Sequence, residues 1–100
     1  MNRSELMLRV FFLWTLAPEE AATHLDGVAE ASRQALAALD GIDAQVPWDG
    51  SGADLMGRLA LEQGRRTAMT LAGWATWAAA QVRAGHDARS LTDRMPPTAG

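Results

Sequence analysis

Apolar and polar positions along the chain divide it into three predicted helices joined by short turn-rich segments. The first runs from about Ser4 to Leu16, and after Arg9 it is apolar on nearly all sides. A helix of this kind must be covered by neighbouring elements from more than one direction. The second helix is predicted from about Pro18 to Asp40, and the third from about Ala53 to Ala84.

The second predicted helix carries a narrow apolar stripe on one face. Pro18 suits the first helical position, Glu19 and Glu20 suit the positive end of the helix dipole, and Gly41 is a plausible C-terminal cap. Apolar and small residues recur every three or four positions, as in the seam of a coiled coil. These residues are Leu25, Val28, Ser32, Leu36 and Leu39.

The third predicted helix is too long for a compact domain of this size. Ser51 or Asp54 can cap its start and Gly85 its end. It would extend about 48 Å, whereas a compact 100-residue domain has a radius of gyration near 13 Å. Since its apolar residues occupy more than one stripe, the other two helices cannot cover them all. The pattern therefore predicts an all-α fold in which three helices form an intertwined, antiparallel homodimer.

The remaining segments are turn-rich or polar. The loop from Gly41 to Gly52 contains Pro47 and a tryptophan, Trp48, which is more often a plug at the end of a helix pair than part of a ligand site. The tail from His86 onward is polar and contains two prolines. We expect one helical domain over residues 1–85 and a mostly disordered tail over residues 86–100.

Composition narrows the classes of protein to which the chain could belong. It has no cysteine and no apolar run long enough to cross a membrane, and it lacks the features of a signal peptide, so we expect a cytoplasmic protein. The net charge is −3 and the nine basic residues, all arginines, are scattered along the chain. Nucleic-acid binders usually carry a basic stripe, so direct DNA binding by this chain is not expected.

Nothing in the sequence assembles the chemistry of a metal site or an enzyme. Neither His24 nor His86 is followed by a ligating residue at i+3 or i+4, so we expect no metal. There is no glycine-rich phosphate loop and no serine–histidine–aspartate set. The sequence implies no cofactor, and an enzymatic role is the less favoured interpretation.

The stretch LAGWATWAAAQV places two large rings, Trp74 and Trp77, on one face of the third helix. They could fill the core, meet a second copy of the chain, or bind a flat ligand. Upstream, Glu62 and Arg66 form a pair one turn apart beside Gly64, and this pair is either an exposed ion pair or a polar group buried at a dimer interface. A mid-helix glycine costs about 1 kcal/mol, and it is tolerated where another helix must come close.

Three segments together resemble the C-terminal domain of PadR-family transcription regulators, in particular the virulence-activator type. They are SELMLRVFFLWTLAPEEAATHL, the stripe-bearing helix ending at Leu39, and RLALEQGRRTAMTLAGWATWAAAQV. The last contains a Leu-Glu-x-Gly segment followed, ten residues after the glycine, by a tryptophan. The similarity covers about Ser4 to Val82. The residues that match the pattern are Phe11, Phe12, Glu62, Gly64 and Trp74, whereas Trp14, Trp48 and Trp77 have no clear counterpart.

The resemblance implies a domain that dimerises a regulator and, in some members, lines a pocket for small, often aromatic, effectors. On this basis the expected ligand-binding residues are Trp74, Trp77, Trp14, Phe11, Phe12, Glu62 and Arg66. The expected dimer-interface residues are Leu59, Gly64, Leu71, Trp74 and Val82. The family's winged-helix DNA-binding domain precedes the first helix and has no counterpart here, which implies either an excised domain or a stand-alone relative.

Two alternatives belong to different functional classes. One is a stand-alone protein that shelters or transforms a hydrophobic natural product in the same apolar pocket. The other is an adaptor that forms mixed dimers with a full-length regulator and blocks its binding to DNA.

Overall fold

The computed structural model describes residues 3–5, 7–8 and 16–94, and all secondary structure in these ranges is helical. Helix α1 spans Pro18–Gln45 and helix α2 spans Gly52–Ala84. A short 3-10 helix, Ser90–Asp93, lies in the segment after α2. The all-α class is thereby confirmed. Residues 3–5 and 7–8 are also helical, while the rest of the first predicted helix up to Thr15 lies outside the described residues.

The ends of α2 follow the predicted capping signals. Ser51 is the N-cap, and its Oγ accepts a hydrogen bond from the backbone N–H of Asp54 at 3.1 Å. At the other end Gly85 adopts the left-handed conformation, with φ of 74°, which glycine reaches without a steric penalty. The N–H groups of Gly85 and His86 then satisfy the carbonyls of Val82 and Gln81.

Helix α1 is longer than the sequence predicts. Gly41 was expected to end it, but the helix continues through Gln45. A glycine ends a helix by adopting a positive φ, and among the described residues only Gly85 does so. The helix ends instead because Pro47 disfavours helical geometry at Val46, whose φ and ψ of −77° and 126° are extended.

The two helices pair side by side in opposite directions, and charged contacts between them establish this arrangement. Arg83, near the end of α2, contacts Glu19 at the start of α1. Arg65 contacts Asp40, and Arg58 near the start of α2 contacts Asp43 near the end of α1. Residue numbers fall along α2 as they rise along α1, so the pair is an antiparallel hairpin.

The seam between the helices is built mostly from alanine. Among the described residues, Leu25 is the only buried apolar side chain larger than alanine. Ser32, also on the predicted stripe, is buried and donates its hydroxyl to the carbonyl of Val28. Small residues allow the helices to approach closely, but they bury little apolar area. The buried apolar residues are Ala21, Ala22, Leu25, Ala29, Ala68, Ala75 and Ala79.

Several large apolar side chains therefore stay on the surface of the hairpin. In α2 these are Leu55, Met56, Leu59 and Met69, each more than half exposed. The molecule measures 51 × 26 × 21 Å and its radius of gyration is 16.8 Å, well above the value near 13 Å of a compact chain of this length. No helix in the described part of the chain is both long enough and apolar enough to span a membrane.

Trp48 closes the loop end of the hairpin, as predicted for a plug. Its Nε1 donates to both the backbone carbonyl and the Oδ1 of Asp43, at 3.1 and 3.0 Å. Its ring lies beside Gly57, and the guanidinium of Arg58 lies 6.0 Å from the ring centre. The ring thus links the end of α1 to the beginning of α2.

Gly64 makes the close approach expected of it, but the neighbour belongs to the same chain. A Cβ at this position would lie 3.1 Å from Cδ1 of Leu39 in α1. The structure thus places the close approach at Gly64 within the protomer, where the sequence placed it between protomers.

Gly64→Ala is expected to be less stabilising than Gly27→Ala. Each change removes a glycine from a helix interior, which is worth about 0.5–1 kcal/mol. A Cβ at Gly27 would meet nothing within 4 Å, whereas one at Gly64 would crowd Leu39. Urea denaturation of the two variants measures the difference, and equal gains in unfolding free energy would show that the contact with Leu39 imposes no constraint.

Candidate functional site

An apolar groove lies at the end of the hairpin where α1 begins and α2 finishes. The start of α1 forms one wall, the last turns of α2 form the other, and the segment after Gly85 closes the end. Its volume is about 560 Å³. We call it the tryptophan groove; the residues that line it are Leu16, Pro18, Ala21, Leu25, Trp74, Trp77, Ala78, Gln81, Val82, Gly85, His86 and Leu91.

Both tryptophans singled out from the sequence line this groove. They lie three residues apart on α2, so helical geometry points both rings to neighbouring positions on one side of the helix. Trp74 also packs against the core residues Ala22, Leu25 and Ala79. Both rings are half-buried. Trp74 therefore packs against the core and also lines the groove. A role in the core and a role in ligand binding are thus compatible for this ring.

Polar side chains are few in the tryptophan groove. Besides the indoles, Gln81 and His86 are the polar side chains among its lining residues, which include no carboxylate and no arginine. The Oε1 atom of Gln81 is buried and accepts no hydrogen bond. Such a surface suits an apolar, uncharged molecule. It does not bring together the acid, base and nucleophile that catalysis would require.

Several lining residues were not identified from the sequence as part of a site, among them Gln81, His86 and Leu91. Gln81 lies one turn beyond Trp77 and two turns beyond Trp74, so the same helical periodicity could have identified it. His86 and Leu91 belong to the polar segment after Gly85. Their position depends on how that segment folds back, with a 3-10 helix at Ser90–Asp93, and no local sequence signal reports it.

The family model described as Virulence activator alpha C-term matches residues 2–83. The chain belongs to this family. The match includes all of α1, α2 as far as Arg83, and the two tryptophans of the groove. No significant match is found among curated proteins or among solved structures. The virulence activator C-terminal family is associated with regulators, which places this chain in a regulatory context.

Other residues expected to bind ligand in this virulence activator C-terminal domain are not gathered at the groove. Phe11, Phe12 and Trp14 lie outside the described residues. Glu62 and Arg66 lie about 18 and 12 Å before Trp74 along α2, at 1.5 Å per residue. Neither lines the tryptophan groove.

Glu62 belongs instead to a surface network of ion pairs. It accepts hydrogen bonds from Arg66 at 3.1 Å and from Arg65 at 3.0 Å, and Arg65 also binds Asp40 of α1. Hydrogen bonds from Arg66 and then Arg65 lower the pKa of Glu62. The side chains of Glu62 and Arg66 are 42% and 78% exposed. The sequence allowed either an exposed ion pair or a buried polar group, and within one protomer Glu62 and Arg66 form an exposed ion pair. Such pairs contribute little to stability.

The residues expected at a dimer interface are divided between the surface and the interior of the protomer. Leu59 is 53% exposed and therefore free to contact another molecule. Leu71, Trp74 and Val82 are half-buried, and Trp74 and Val82 pack against the core cluster. Gly64 faces Leu39 of its own chain.

A second depression and the arrangement of possible metal ligands point to no other functional site among the described residues. A larger depression of about 760 Å³ runs along α1 between Glu19 and Ala35 and reaches Leu71. Its single aromatic ring is the imidazole of His24, so it offers less stacking surface than the two indoles of the tryptophan groove. In the part of the chain that the structure describes, no group of three histidine, aspartate or glutamate side chains could hold a metal ion.

Arg83 joins the two walls of the tryptophan groove from outside. Its guanidinium lies 3.0 Å from Glu19 Oε1 and 2.7 Å from Asp26 Oδ2, both on α1. The hydrogen bond from Arg83 lowers the pKa of Asp26 below its ordinary value of 3.8, and the two carboxylates raise the pKa of Arg83. The contact holds the end of α2 against the start of α1.

In the Arg83→Met variant, the free energy of unfolding is expected to depend less on pH in the acid range than it does in the wild type. Because the folded-state pKa of Asp26 lies below 3.8, its ion pair stabilises the fold above that pH, and this contribution is lost as pH falls through the folded-state pKa. The variant lacks the contribution, so its unfolding free energy should fall less between pH 6 and about pH 3. Circular dichroism during urea titration at each pH measures it.

Arg94→Met is the matched control, since Arg94 donates to the carbonyl of Ser90 and contacts no carboxylate among the described residues. A steep acid dependence preserved in Arg83→Met would mean that the pair does not couple folding to protonation of Asp26.

Proposed function

We propose that this chain is the dimerisation and effector-binding module of a PadR-like transcription regulator, and that it binds small aromatic or hydrophobic molecules without itself binding DNA. One observation carries the proposal: Trp74 and Trp77 line the same apolar groove. Membership of the virulence activator C-terminal family supports the regulatory context.

The size and lining of the tryptophan groove support a small ligand. Pockets for small molecules have volumes of about 300–1,000 Å³ and are lined mainly by apolar and aromatic side chains with few polar groups. The groove, at about 560 Å³, falls in that range. A planar molecule placed against an indole ring gains about 0.5–1.5 kcal/mol per aromatic pair beyond the burial of its area.

The exposed apolar residues of α2 support the dimer. The protomer exposes 7450 Å², whereas a compact monomer of this mass exposes about 5,500 Å². The excess is more than the roughly 800 Å² that each partner contributes to a standard interface. Large apolar residues near the start of α2, Leu55, Met56 and Leu59, are the surface that a second copy would cover. We call these three residues the dimer patch.

The pairing of the arginines supports the absence of direct DNA binding. Arg33, Arg58, Arg65, Arg66 and Arg83 each contact a carboxylate within the protomer. A phosphate backbone would have to compete with these carboxylates, and the net charge of the chain is −3. In this proposal DNA is bound by another part or partner of the regulator.

Titration with acridone, an uncharged planar molecule that carries an N–H donor and quenches indole fluorescence, tests the binding half of the proposal. The Trp48→Phe variant removes the fluorescence of the loop tryptophan, which lies at the other end of the hairpin, and serves as the parent protein. Acridone is expected to quench its emission in a saturable manner. Trp77→Leu in the same background should weaken binding at least tenfold, and unsaturable quenching in both proteins would refute a binding groove.

Light scattering tests the dimer half. The proposal predicts about 21 kDa at micromolar concentration, twice the chain mass of 10.7 kDa. A well-folded species with the mass of one chain would contradict it.

A further inference from the structure

We infer that Gln81 selects the ligand, and that the tryptophan groove takes uncharged planar molecules which carry an N–H or O–H donor. This inference rests on the proposed function, since it specifies the chemistry of a ligand for the same groove. It starts from an oxygen: in the part of the chain that the structure describes, Gln81 Oε1 is the buried side-chain polar atom without a hydrogen-bond partner. Buried acceptors are almost always paired, so an unpaired one in a native fold requires an explanation.

Three donors close to Gln81 in sequence are already engaged. Arg83 binds Glu19 and Asp26, and the backbone N–H of His86 binds the carbonyl of Gln81 itself. The hydroxyl of Ser90 donates to the carbonyl of Asp87. None of these groups is available to the side-chain oxygen of Gln81.

Gln81 lines the groove between the rings and the closing segment. It follows Trp77 by one turn of α2, and its backbone carbonyl accepts a hydrogen bond from the N–H of His86, another lining residue. The terminal torsion of a glutamine side chain is soft, so the amide can turn its oxygen toward a molecule in the groove. A donor on that molecule would then supply the missing hydrogen bond, while the indoles cover its apolar faces.

The groove also indicates which molecules are unsuitable. No arginine lines it, and the nearby guanidinium of Arg83 is shared between two carboxylates, so an anionic ligand would find no committed counter-charge. A purely apolar molecule would fit the rings but would leave the oxygen unpaired. Sites that contain a buried polar group discriminate against ligands that cannot pair with it.

Isothermal titration calorimetry with indole and 1-methylindole tests the inference. The two molecules share their ring, but 1-methylindole lacks the N–H donor. Its extra methyl group would favour it on apolar area alone. The wild-type protein is expected to bind indole about three- to tenfold more tightly, as one net hydrogen bond provides. Equal binding, or tighter binding of 1-methylindole, would overturn the role of Gln81 and leave the proposed function standing.

Gln81→Met keeps the length of the side chain and removes the acceptor. It is expected to abolish the preference for indole, whereas Gln63→Met, at an exposed position of α2, should retain it. If neither compound binds the wild-type protein, the proposed ligand-binding function fails together with this inference.

Thermal unfolding provides a readout that does not depend on a ligand. Because Gln81 Oε1 is unpaired in the free protein, Gln81→Met should melt at or above the wild-type temperature. A clear decrease relative to Gln63→Met would show that the oxygen is already paired in solution and would overturn the inference.

Discussion

Leu59→Glu is expected to convert the proposed dimer into monomers at micromolar concentration. Leu59 is 53% exposed on the protomer and belongs to the dimer patch with Leu55 and Met56. Placing a carboxylate there removes about 1.5–3 kcal/mol of apolar burial. It also places an unpaired charge at the interface, and the chains must either bury that charge or separate. Together these effects should raise the dissociation constant at least a hundredfold.

Light scattering and analytical ultracentrifugation would measure this change. Gln63→Glu, one turn further along α2 and exposed, introduces the same charge beside the dimer patch and should dissociate the dimer much less. Circular dichroism would show whether the Leu59→Glu monomer keeps its helices. A Leu59→Glu protein that retains about 21 kDa, twice 10.7 kDa, would show that the dimer patch is not the interface.

Ala75→Leu is expected to destabilise the protein by about 2–3 kcal/mol, as overpacking of a close-fitting core does. Ala75 has 0% exposure and lies in the alanine seam. The neighbouring Thr76 accepts a hydrogen bond at its Oγ1 from Nη1 of Arg33 in α1, at 3.5 Å. The helices are therefore already in contact at this level. A leucine here must either separate the helices or adopt a strained rotamer.

Urea denaturation monitored by circular dichroism would measure the loss. Ala37→Leu is the control, because Ala37 is exposed on α1 and the same substitution there should change the unfolding free energy by less than about 0.5 kcal/mol. Equal effects at the two positions would indicate that the seam has room for larger side chains.

Local signals predicted the helix ends where a residue acts on its own backbone. Ser51 caps α2 and Gly85 ends it as expected. Gly41 was wrongly expected to end α1, because a glycine permits a left-handed turn without requiring one. Pro47, six residues later, imposes the end on steric grounds. The length of the hairpin pair was therefore underestimated by five residues on α1.

The site could be predicted only as far as helical periodicity extends. That periodicity placed Trp74 and Trp77 together, and it would also have placed Gln81 beside them. The contributions of Leu16, His86 and Leu91 depend on how segments outside α2 pack against it, which the spacing of residues does not encode. For the same reason the sequence indicated a close approach at Gly64 without showing that the neighbour is Leu39.

The smoothness of the alanine seam has a consequence for how the hairpin keeps its alignment. Methyl groups offer few knobs and holes, so they resist sliding of one helix along the other only weakly. Charges fix the axial position instead: Arg83, Arg65 and Arg58 each hold a carboxylate of α1 at a different height. Salt screens such exposed pairs, so concentrated salt should loosen the axial alignment of the hairpin, and with it the width of the tryptophan groove, before it unwinds either helix.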